Sequence, residues 1–129
     1  MDDKQDGGEK TVMWHGVTNI KTSEDGSISA DADIPMESAW FSGHFPQNPI
    51  LPGIAQMDMV HGMVERALGG QVSIKRISRI RFKKIIRPGD RLEIKTSAIN
   101  KETGSFSFSI MVNTETVCSG NMMVDVEQP

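Results

Sequence analysis

Tyrosine is absent from this chain, and cysteine occurs once, at Cys118. A lone cysteine forms no internal disulfide, so the chain suits a reducing compartment, the cytoplasm. Cys118 sits in a strand-like stretch and is expected to be a buried packing residue. It has no neighbouring Cys or His, and His15, His44 and His61 lack metal-ligand spacing, so neither a metal nor a redox cofactor is expected. Aromatics are few, five Phe and two Trp, which leaves the core to aliphatic residues and to nine Met, a side chain that fills irregular gaps. No apolar run approaches the length of a bilayer span, and the first residues lack the apolar stretch of a secretory signal. Membrane insertion is therefore not expected.

With 129 residues the chain has the length of one domain. Residues 1–10 are polar and glycine-rich and read as a flexible tail, leaving 11–129 as the single domain. Thr11 to Ile20 is strand-like. Ser23-Glu24-Asp25-Gly26 reads as a hairpin turn, and Ile28, Ala30, Ala32 and Ile34 then alternate with polar residues in a second strand that Pro35 ends. An irregular loop runs to Pro52. Across 53–68, Ile54, Met57, Val60, Val64, Ala67 and Leu68 recur at spacings of three and four, and Gly69-Gly70 stops the pattern. This predicts a helix of about 24 Å, apolar enough to be wrapped by other elements. Strands follow around Ile80 and Phe82, along Leu92, Ile94, Thr96 and Ala98, and along Phe106, Phe108 and Ile110. A turn near Asn113 leads to a last strand from Val117 to about Val124. The expected class is α+β, an antiparallel sheet curled around one helix.

The loop before the helix, Gly43-His44-Phe45-Pro46-Gln47-Asn48-Pro49-Ile50-Leu51-Pro52-Gly53, combines a His with spaced prolines and a Pro-Gly pair at the helix start. His titrates near neutral pH, and prolines fix the backbone around it. The helix start at Gly53 offers unpaired N–H groups and a positive dipole end that suits a carbonyl oxygen or an anion. Asp58 follows about one and a half turns later. A base, an acid and an oxyanion-type donor are the requirements of proton chemistry next to a carbonyl. Asp58, on a helix that otherwise reads as buried, needs a partner or a function. Its structural alternative is to cap a neighbouring strand or loop. His61 and Glu65 fall near Asp58 on the helix but at different angular positions, and both read as ordinary residues without a catalytic role.

The Gly-His-Phe-Pro-x-x-Pro-x-x-Pro-Gly stretch at 43–53 resembles that of the (3R)-hydroxyacyl-(acyl-carrier-protein) dehydratases of fatty acid synthesis. The segment Ile80-Arg81-Phe82-Lys83-Lys84-Ile85-Ile86-Arg87-Pro88-Gly89-Asp90-Arg91-Leu92 is similar to their basic strand and Pro-Gly-Asp turn, and the likeness spans about Ile28 to Val126. It implies the hot-dog fold, about six antiparallel strands wrapped around one long central helix. It implies dehydration of a 3-hydroxyacyl thioester, on acyl carrier protein or coenzyme A, to the trans-2-enoyl thioester. It also implies His44 as base, Asp58 as acid and the Gly53 N–H on the thioester carbonyl, with Phe45, Pro52 and Ile54 as substrate contacts. A homodimer is implied, alone or as a trimer of dimers, with His44 from one subunit and Asp58 from the other in each site. Two features depart from the family: Gly62 stands where Gln is usual, and residues 1–20 lack the usual short helix and Arg-Tyr-Pro-like stretch.

Of the 14 Lys and Arg residues, 8 fall between Lys75 and Arg91, against one acid, Asp90, on a chain of net charge −3. Arg79, Arg81, Lys83, Lys84 and Arg87 either dock an acidic carrier protein or form the solvated face of an edge strand. Nucleic acid is disfavoured by the overall charge. Two rival functions stay open. One is a hot-dog thioesterase, in which a helix carboxylate activates water. The other is a non-catalytic acyl- or carrier-protein-binding subunit, which Gly62 favours.

Overall fold

The computed structural model describes residues 16–34, 51, 53–87 and 89–125. The expected tail at 1–10, the strand start at 11–15 and most of the loop from Pro35 to Pro52, with His44, Phe45 and Pro52, lie outside the described residues. In chain order the elements are β1 (Gly16–Thr22), β2 (Ile28–Asp33), α1 (Gly53–Leu68), β3 (Ile74–Phe82), β4 (Arg91–Thr96), β5 (Ser105–Val112) and β6 (Glu115–Val124). The six strands form one antiparallel sheet in the order β1-β2-β4-β5-β6-β3, so β1 and β3 are its edges. With the one helix among the described residues against one face, this is the hot-dog fold. No described helix is long and apolar enough to cross a membrane.

Local chemistry sets these elements. The β1–β2 turn closes with the Gly26 N–H donating to Ser23 O, and the Asp25 carboxylate accepts from both the N–H and the hydroxyl of Ser27. Those bonds hold the Asp25 pKa below the ordinary carboxylate value. Asn113 and Thr114 turn the β5–β6 hairpin with φ of 52° and 66°, the two positive values of a type I′ turn. The helix ends where Gly69 takes φ 78° and the N–H groups of Gly69 and Gly70 both donate to Glu65 O.

Alternation is clean on β4 and β5. Leu92, Ile94 and Thr96, and then Phe106, Phe108 and Ile110, point into the core. Ala98 lies past the end of β4 and is exposed, so the expected apolar row is one residue shorter. These side chains meet a helix face of Ala55, Gln56, Met57, Met59, Val60, Met63 and Val64. Arg66 ties the helix to β1 through a 2.7 Å bond from its Nη1 to Val17 O. The expected apolar stripe needs correction at its ends, because Ile54 and Leu68 are 68% and 47% exposed.

Strand β3 also departs from expectation. It begins at Ile74, and Ile80 and Phe82 are not a buried row. Ile77 pairs with Met122 and Phe82 with Cys118, so five steps along β3 match four along β6. The extra residue lies at Arg79–Ile80, opposite Gly120, with Arg79 at φ 54°. A one-residue bulge reverses the phase of the side chains beyond it. Ile77 and Phe82 consequently face the helix side together, although their spacing in an unbroken strand would put them on opposite faces. Gly120 permits the crossing: a Cβ there would lie 2.9 Å from the Phe108 ring and 3.2 Å from Ile80 Cα. Arg79→Val, a β-branched residue in the left-handed region, is expected to lose about 1–2 kcal/mol. Arg79→Asn should lose much less, and urea unfolding of the two variants checks the difference.

Candidate active site

Gly53 is the first residue of α1, as expected, so the N–H groups of the first turn have no partners within the helix. Three contacts fix the position of this turn. The Leu51 N–H donates to Ile86 O at 2.8 Å, tying the incoming chain to the segment after β3. Gln56 Nε2 donates to Leu51 O at 3.2 Å from a nearly fully buried side chain. The Phe82 ring lies against Gly53, where a Cβ would sit 2.7 Å from Phe82 Cζ.

Asp58 is exposed in this chain, which corrects the expectation of a wholly wrapped helix. The reason is angular. Ile54, Asp58 and Gly62 recur at intervals of four along one stripe, and that stripe faces away from the sheet. Any burial of Asp58 must therefore come from outside the described part of its own chain. A Cβ at Gly62 would meet nothing within 4 Å among the described residues. One turn on, His61 Nε2–H donates to Val72 O at 2.5 Å and Glu65 Oε2 accepts from the Val72 N–H at 3.0 Å. His61 and Glu65 thus hold the end of the helix to the loop leading into β3, a structural role consistent with their ordinary reading.

The expected residues fall into three groups. Gly53, Ile54 and Asp58 come together on the first two turns of α1, with Ile54 and Asp58 on its outward side. His44, Phe45 and Pro52 lie outside the described residues. Arg79, Arg81, Lys83, Lys84 and Arg87 are all exposed along the edge strand β3 and the segment after it. Within that group Lys84 Nζ pairs with Glu115 at 2.6 Å, and the Arg87 N–H donates to Asp90 Oδ2. No group of three or more His, Cys, Asp or Glu among the described residues is arranged to hold a metal. Cys118 is buried opposite Phe82, and burial pushes its thiol up to about 11, so it is a packing residue and not a nucleophile.

Two residues at this end of the helix were not anticipated. Gln56 occupies a core position, three residues before Met59 and four before Val60. A polar residue at apolar spacing was its signal. Phe82 looked like one member of a regular alternation, and only the bulge turns it toward Gly53. Removing the clamp by Gln56→Ala is expected to cost about 1–2 kcal/mol, since a buried carbonyl loses its donor. For Cys118, a thiol pKa raised in the folded state contributes stability fully present below about pH 9 and lost as pH rises through about 11. The melting temperature of wild type should accordingly fall more steeply above pH 9 than that of Cys118→Ala.

Comparison with known proteins agrees with this fold. A family model described as "ApeI-like: ApeI dehydratase" matches residues 19–121. The 3-hydroxyacyl-(acyl-carrier-protein) dehydratase FabZ of Caldicellulosiruptor bescii is 29% identical over 117 residues, covering 84% of this chain and 84% of that protein. Its namesake from Haemophilus influenzae is 32% identical over 106 residues, covering 74% and 72%. Among solved structures, the dehydratase heterocomplex ApeI:P from Xenorhabdus doucetiae superposes with a TM-score of 0.78 at 23% identity. The match covers 88% of this chain and 100% of that chain.

Proposed function

The chain belongs to the ApeI-like dehydratase family, and from that premise we propose that it removes water from a 3-hydroxyacyl thioester. His44, neutral, takes the C2 proton, and Asp58 gives a proton to the departing C3 hydroxyl. The C2=C3 bond forms and one water leaves. The N–H at Gly53, reinforced by the helix dipole, stabilises negative charge growing on the thioester oxygen. The observation that carries this reading is the placement of Asp58 and Gly53 on the first two turns of one helix, directly after the His-Phe-Pro loop. The scheme requires neither a metal nor a redox cofactor.

The outward stripe of Ile54, Asp58 and Gly62 supports a dimer in which a second copy covers this face and completes the site with its own His44. The exposed basic run along the β3 edge supports an acidic acyl carrier protein as the donor of the thioester. The lone buried thiol supports a cytoplasmic setting. One rival keeps a specific basis. Gly62 at the family's Gln position, together with a fold shared with a dehydratase heterocomplex, favours a subunit that works only beside a related chain.

Hydration of a short trans-2-enoyl pantetheine or coenzyme A thioester tests the proposal. His44→Ala and Asp58→Asn should each lower kcat/KM by about 100-fold or more with folding intact. Mixing the two variants should restore part of the activity if each site draws on two subunits. Absence of turnover in wild type on both coenzyme A and carrier-protein substrates would favour the non-catalytic subunit. Release of free thiol in place of hydration would favour the thioesterase.

A further inference from the structure

Among the described residues, Phe82 is the aromatic side chain that lies against the start of α1. Its ring lies on the Gly53 backbone: a Cβ built there would be 2.7 Å from Cζ, 3.2 Å from Cε1 and 3.4 Å from Cε2. Real side-chain atoms do not approach so closely, so ring and glycine occupy one continuous space. Even so, Phe82 is 53% exposed, and Ile54, the next residue of the helix, is 68% exposed. The ring is held in place by more than its own packing. The bulge at Arg79–Ile80 turns it to the helix side, its strand partner is the buried Cys118, and the N–H groups of Lys83 and Lys84 both donate to Val117 O just beyond it.

An open apolar ring beside a helix N–H end matches a ligand that is apolar next to a carbonyl. We propose that Phe82 forms the wall of the thioester site: its ring shields the Gly53 N–H from water and packs against the acyl carbons adjoining the carbonyl. The proposal rests on the assignment of Gly53 as the carbonyl donor and names a further substrate-contacting residue for that site. Glycine at position 53 is then required for a reason separate from backbone freedom, since any side chain there displaces the ring that lines the site.

The test is a double-mutant cycle on the full-length protein with Phe82→Ala, Gly53→Ala and the pair together, and with Phe82→Leu as the conservative variant. Two readouts are taken: kcat and KM for hydration of crotonyl-pantetheine, and calorimetric affinity for 3-hydroxybutyryl-coenzyme A. Phe82→Ala is expected to lower kcat/KM roughly tenfold, mostly through KM, with a matching loss of affinity. Phe82→Leu should stay within about threefold of wild type. Adding Phe82→Ala to Gly53→Ala should recover part of the loss caused by Gly53→Ala, because the methyl group gains the room the ring vacates. Near-ultraviolet circular dichroism and melting temperature confirm that each variant is folded, and Phe82→Leu decides the matter if Phe82→Ala is not. The proposal is overturned if Phe82→Ala leaves both kcat/KM and affinity within twofold of wild type, or if the two single losses simply multiply in the double variant. A wild type that binds the thioester without hydrating it would contradict the dehydratase reading alone, and the affinity cycle would then decide the role of Phe82. A wild type that neither binds nor turns over acyl thioesters would overturn both.

Discussion

The start of the helix is fastened to the far edge of the sheet, and the rest of the site depends on that fastening. Leu51 bonds Ile86, Gln56 bonds Leu51, and the Phe82 ring closes over Gly53. None of these contacts is strong alone, since a typical buried hydrogen bond nets only about 1 kcal/mol. Together they join two sequence-distant segments, 51–56 and 82–86, at the point where unpaired N–H groups emerge. A helix free to slide by half a turn would move those donors by about 2.7 Å, more than a positioned carbonyl tolerates.

The composition of the core explains how one helix is held by a curved sheet with so few aromatics. The buried face of α1 carries Met57, Met59 and Met63 beside Ala55, Val60 and Val64, so adaptable thioethers fill the spaces that rigid branched residues leave. The opposite face is left to Ile54, Asp58 and Gly62. A carboxylate belongs where solvent or a partner can satisfy it, and an apolar residue at 68% exposure beside it marks a surface expecting cover. The basic residues of β3 serve the same edge in another way. Whatever they attract, Lys75, Arg76, Arg79 and Arg81 also discourage indiscriminate strand pairing along it.

Much of this was legible in the sequence, for reasons that are local. The helix bounds at Gly53 and Leu68 follow from Pro-Gly before and Gly-Gly after, signals carried by single residues. The hairpins at Asp25-Gly26 and Asn113 follow from turn chemistry, and β5 from its strict alternation. What escaped was set by tertiary contact. The β3 bulge has no glycine on its own strand to announce it; the enabling residue is Gly120, forty positions later on β6. Helical periodicity identified an apolar stripe but placed Ile54 and Leu68 on it, because spacing alone does not show which flank the sheet reaches. Asp58 was singled out from the sequence, yet its exposure followed only from the orientation of the packed helix.

On the proposed function, this helix end supports removal of water across C2 and C3 of an acyl thioester. Nuclear magnetic resonance of crotonyl-pantetheine incubated with the protein in deuterium oxide examines it most directly. The expected product is a 3-hydroxybutyryl thioester carrying one deuteron at C2, added with a single stereochemistry, with the thioester bond intact. Crotonyl-pantetheine recovered unchanged at high protein concentration, or cleaved to free pantetheine without deuteration at C2, would contradict it.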